Sequence, residues 1–94
     1  MSTPRRIRVV ARSPTMGRVA SIAAPLMARI NRRNPTSSVV VRGEPYDIFY
    51  TTHPKTREPV TLVLHAVAIG TTAFVAYLPG KRDPTEVSLA LATI

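Results

Sequence analysis

The chain has 94 residues, no cysteine and a formal net charge of +8 at pH 7. That length fits one small domain, residues 1–94, with a core modest enough to be marginal alone, and the lack of thiols excludes disulfides and thiolate metal sites. From Met1 to Gly43 there are nine arginines and no acid, whereas from Glu44 to Ile94 two lysines and two arginines stand against five acids. This asymmetry points to a polyanion or an acidic protein surface as partner. Arginine's planar fork suits pairing with phosphate or carboxylate.

Residues 1–6, "MSTPRR", read as a basic N-terminal arm, and Ile7 to Ala11, "IRVVA", as a short strand. Ser13-Pro14 then starts a helix, with Ser13 as N-cap and Pro14 where its missing N–H is not needed. Met16, Val19, Ala20, Ala23, Leu26, Met27 and Ile30 recur at helical spacing and share one face. Arg18, Arg29 and Arg32 fall on the far side, with Arg33 at its edge, and Pro25 also points to the polar side. The stripe keeps its phase across Pro25, so the pattern predicts one long kinked helix. "NRRNP" ends it, because Asn34 before Pro35 is pushed out of helical geometry. The helix arginines read either as a solvated face or as a partner-facing surface. Arg5, Arg6 and Arg8, ahead of the helix, are the stronger contact candidates, and Arg12 is a further candidate.

Extended segments come next. Ser38 to Arg42 is one strand, Gly43-Glu44-Pro45 a turn, and Tyr46 to Thr52 a second strand. "HPKTREP" is a polar loop. Val60 to Ile69 reads as a long strand, Gly70-Thr71 as a tight turn and Thr72 to Leu78 as the hairpin partner. Lys81 and Arg82 precede a short helix from Pro84 to Ala92. Asp83 is its N-cap, Pro84 its first residue, and Glu86 completes a capping box. The order β-α-β-β-β-β-α predicts an α+β domain: a mainly antiparallel sheet whose one face is covered by the long kinked helix and the short C-terminal helix.

Two competing readings of the apolar and basic runs fit less well. Val60 to Leu78 has no formal charge and is long enough to cross a bilayer. Its threonines, its β-branched and aromatic residues and the turn at "IGTT" favour two strands instead. The arginine-rich first segment also suits a transit peptide, but its removal would leave too short a chain for a comfortable core.

Little recommends catalysis. His53 lies at the start of a loop and His65 in an apolar strand, neither at a metal-ligand spacing from another His or acid. The four glycines are too few and too scattered for a phosphate-binding loop. No enzyme activity, cofactor or metal ion is expected.

The layout of a short basic strand "RIRVVA", one long amphipathic helix, several strands and the terminal helix "DPTEVSLALATI" resembles the small tail-completion or neck proteins of long-tailed bacteriophages. These are head-tail connector components. The resemblance covers most of the chain and rests on the order of elements. It implies a non-enzymatic virion protein that forms a homo-oligomeric ring, a hexamer, between the portal-side connector and the tail. Copies of itself, neighbouring connector and tail proteins, and non-specific DNA in the lumen are the implied partners, with assembly in the host cytoplasm and no membrane.

The α-β-β-β-α portion, with "GKR" before the last helix, also resembles a double-stranded RNA-binding domain. That likeness implies a cytoplasmic RNA- or DNA-binding module. There Lys81 and Arg82 would grip phosphates, although Asp83 and Glu86 stand where further lysines belong.

Overall fold

A computed structural model describes residues 23–93. The basic arm, the strand expected at residues 7–11, and the expected helix up to residue 22 lie outside these. So do the candidate contacts Arg5, Arg6, Arg8, Arg12 and Arg18.

Helical residues 23–27 (α1) lead through turns into four strands. These are β1 (Ser37–Val41), β2 (Glu44–Thr52), β3 (Pro59–His65) and β4 (Phe74–Pro79), followed by helix α2 (Pro84–Ala92). The strands pair antiparallel in the order β1-β2-β3-β4. The α+β class and the antiparallel sheet agree with the sequence reading.

The helices lie on opposite faces of the sheet, which corrects the expectation that they cover one face. On one side Ile48, Val63, Ala76 and Leu78 pack with Val87, Ala90 and Leu91 of α2. On the other, Phe49, Leu62, Leu64 and Phe74 pack with Ala23 and Leu26 of α1. A strand side chain alternates between faces. A strand covered on both sides is therefore apolar almost throughout, as in buried sheets generally, and a buried polar residue such as Thr61 must find hydrogen-bond partners. All of Val60 to Leu64 is buried accordingly. Burial accounts for residues 60–64 and 73–76 of the uncharged run that resembled a membrane span, whereas Val67 and Ile69 between them are exposed. Among the described residues no helix is long and apolar enough to cross a membrane.

The stripe behaves as expected where it is described. Ala23 and Leu26 are buried, and Met27 and Ile30 pack partly buried beside them. Pro25 is exposed. The helix does not continue to Asn34, however. Beyond Met27 the bonds tighten to Arg29 N–H donating to Leu26 O at 3.1 Å and Ile30 N–H to Met27 O at 3.3 Å. Asn31 Oδ1 then accepts the Arg33 N–H at 3.1 Å. Asparagine competes for backbone donors in this way and favours turns over helix.

Two connections also differ from expectation. The β1–β2 turn is Arg42-Gly43, with φ of 55° and 80°, and Val41 pairs directly with Glu44. Positive φ at both central residues is the hairpin geometry whose twist matches the strands. Pro45 therefore lies inside β2. β3 ends at His65 rather than Ile69, and the tight turn at Gly70 is a longer connection holding the 3-10 turn Gly70–Ala73. Ala73, the last residue of that turn, is buried, and the connection is also held by Ala66 N–H donating to Pro45 O at 3.0 Å and Ala68 N–H to His65 O at 3.3 Å. The hairpin itself is present, with Thr61 opposite Leu78 and Leu64 opposite Phe74.

α2 has the expected bounds and cap. Asp83 Oδ1 accepts the Glu86 N–H at 2.9 Å, and Glu86 Oε1 accepts the Asp83 N–H at 3.3 Å. Its far end meets the β1–β2 turn, where Arg42 donates to the Ala92 carbonyl. Cations favour this end of a helix dipole.

Candidate interaction surfaces

Polar groups at the β3-start end of the sheet are engaged with one another. Thr61 is fully buried on the α2 face of β3. Its hydroxyl accepts the Arg82 N–H at 2.7 Å and donates to Gly80 O at 2.9 Å. The Arg82 side chain turns inward, with Nε donating to Pro79 O at 2.7 Å and Nη1 to Glu86 Oε2 at 3.3 Å. Tyr50 Oη donates to Arg82 O at 2.8 Å. Arg82 is only 5% exposed. Little of this residue, read from sequence as a phosphate or partner contact, is therefore left for such a contact. Its donors pin the loop that joins β4 to α2. The neighbouring Lys81 is exposed, with Nζ 5.2 Å from the centre of the Tyr50 ring.

The other basic candidates divide similarly. Arg29 and Arg33 are exposed. Arg32 is half-buried, and its Nη2 donates to Ala68 O at 3.0 Å, tying the segment after α1 to the β3–β4 connection. Lys55 and Arg57, not singled out from sequence, are exposed on the β2–β3 loop. The pairing of Thr52 with Pro59 and of Val60 with Pro79 puts this loop at the same end of the sheet as Lys81.

Both histidines have structural partners. His53 Nδ1 accepts from Lys55 N–H at 3.1 Å and from Thr56 N–H at 3.4 Å, so the ring caps its own loop. It also borders a depression of about 220 Å³ with Thr56, Glu58 and Tyr77. His65 Nε2 lies 2.6 Å from Glu44 Oε1, its ring edge-on to Tyr46, and its Nδ1 is buried without a hydrogen-bond partner. Among the described residues no three His, Asp or Glu side chains cluster as metal ligands. Tyr46, Phe49 and Phe74 are buried, so three of the five aromatics are core residues rather than base-stacking surfaces.

Among the described residues β1 is an outer strand of the sheet, an edge that the sequence reading did not single out. The strand "SSVVV" carries no charge, no proline and no bulge, although natural edges are ordinarily guarded by such devices. Val40 is 71% exposed. It pairs with Pro45, which has no N–H, so this pair cannot exchange both ladder bonds. Pro45 O instead accepts from Ala66 N–H on the β3 side at 3.0 Å. In an antiparallel ladder the pairs alternate, so Val40 and Ser38 turn their backbone N–H and C=O groups away from β2. In the sequence this strand is an uncharged, β-branched stretch followed by a turn and a proline, which does not by itself mark it as an edge.

No protein-family model, curated protein or solved structure matches this chain.

Proposed function

We propose that this chain is a non-enzymatic structural subunit that assembles with copies of itself. In this reading it forms a ring in the neck of a long-tailed phage virion, between the portal-side connector and the tail. One observation supports the self-assembly: among the described residues the sheet ends in an uncharged strand with outward-facing backbone groups. Such an edge is a template for another strand. A small chain with a modest core also gains most from a neighbour that covers its surface. The ring and the virion location rest on the order of elements alone.

The basic first segment supplies the second contact. Arg5, Arg6 and Arg8 pair with acids of a neighbouring subunit, all of which lie beyond Gly43, through the bidentate geometry that guanidinium and carboxylate share. Replacing Arg5, Arg6 and Arg8 together by Glu blocks assembly and leaves the monomer folded. Normal assembly of the triple variant makes those arginines a solvated arm and refutes this part.

A nucleic-acid-binding module is the second reading. It is favoured by the exposed Lys55, Arg57 and Lys81 at one end of the sheet. Affinity that falls steeply with salt supports it.

A further inference from the structure

We propose that β1 is a homotypic joint, in which the β1 strands of two copies pair antiparallel and join their sheets into one of eight strands. This rests on the self-assembly reading above and names the partner and register of that edge.

The register follows from which backbone groups face outward. Ser38 and Val40 present theirs away from β2, so they must form the hydrogen-bonded pairs with the incoming strand. A two-fold axis at Val39 satisfies this over the whole strand. Val40 then lies opposite Ser38 of the second copy and exchanges both bonds with it. Val39 lies opposite its own equivalent, and Val41 opposite Ser37.

The choice of a second copy rests on charge and shape. Ser37–Val41 bear no charge, so no like charges oppose one another across the axis, and β1 offers no charge to select a charged peptide. Opposed residues share a sheet face in antiparallel pairing. Val40 therefore covers Ser38 of its partner on the α1 side, where Val40 is 71% exposed. Val39 meets its equivalent on the α2 side, where each already packs against its own core. A two-fold joint of this kind closes on itself, so a ring needs a second contact elsewhere on the subunit.

Three variants of the full chain test the joint by sedimentation velocity and oxidative cross-linking. Val40→Pro removes an outward-facing N–H, because Val40 already sits opposite Pro45 in a pair that does not use it. Val40→Lys places a charge on the edge. Both should leave the circular dichroism spectrum unchanged, and the unfolding midpoint unchanged at protein concentrations too low for wild type to pair, while weakening pairing at least tenfold. Val39→Cys introduces the chain's sole thiol at the two-fold, where opposed β-carbons are close enough for a disulfide. Mild oxidation should convert most of this variant to covalent dimer, and addition of Val40→Lys should abolish that conversion. A wild-type chain that stays monomeric contradicts both this joint and the self-assembly reading. Assembly unaffected by either Val40 variant overturns the joint alone. Loss of assembly in both Val40 variants without cross-linking of Val39→Cys shows that β1 takes a different strand, and equally overturns the homotypic joint.

Discussion

Thr61 and Arg82 are joined by a 2.7 Å hydrogen bond from the Arg82 backbone N–H to the Thr61 hydroxyl, which itself donates to Gly80 O at 2.9 Å. One buried side chain thus satisfies a donor and an acceptor of the loop between β4 and α2. Thr61→Val keeps the shape and strands both groups, at a cost of about 1–3 kcal/mol for a buried unsatisfied polar group. Thr61→Ser keeps the hydroxyl and should cost less. Urea unfolding should show a lower midpoint for Val than for Ser with an unchanged slope; equal midpoints contradict the assignment.

Arg82 and Lys81 are neighbours with opposite roles. Arg82→Met removes the donors to Pro79 O and Glu86 and should destabilise the fold by roughly 1–3 kcal/mol, without changing any affinity for nucleic acid. Lys81→Ala is an exposed change and should move stability by less than about 0.5 kcal/mol. Thermal unfolding of the two variants side by side separates the roles. A stable Arg82→Met chain with weakened polyanion binding reverses them.

Leu26, 1% exposed, anchors α1 against β2, β3 and β4. Leu26→Ala should cost about 2–5 kcal/mol, as buried leucine truncations do. Unchanged stability by denaturant titration means that α1 is not a core element.

At Gly43 the backbone φ is 80°, and a β-carbon there would meet nothing within 4 Å. The expected cost of Gly43→Ala is therefore backbone strain alone, about 1–2 kcal/mol. A neutral result contradicts the positive φ of this turn.

Much of this fold is legible in the residues that punctuate it. Asp83, Pro84 and Glu86 set the start of α2 through local bonding, so its bounds follow from sequence. The stripe at Ala23, Leu26, Met27 and Ile30 identifies a packing face without revealing where the helix ends, because Ile30 still packs on that face after the helical bonds have tightened into turns at Arg29 and Ile30. β3 and its connection differ from the simple hairpin reading because residues 66–73 are held by the burial of Ala73 and by bonds from distant residues, such as Arg32 Nη2 to Ala68 O. The continuous apolar run in β3 was itself the signal that both faces are covered. Less of the candidate surface was legible. Arg82 resembles any loop cation until Pro79 and Glu86 are seen around it. The β1 edge emerges only once Val40 is paired with a residue that lacks an N–H.

Native mass spectrometry of the full-length chain at micromolar concentration tests the structural-subunit account most directly. The account predicts one closed oligomer of fixed stoichiometry in equilibrium with smaller species, lost on replacement of Arg5, Arg6 and Arg8 by Glu. A monomer across the whole accessible concentration range, with tight salt-sensitive binding to nucleic acid, would contradict it.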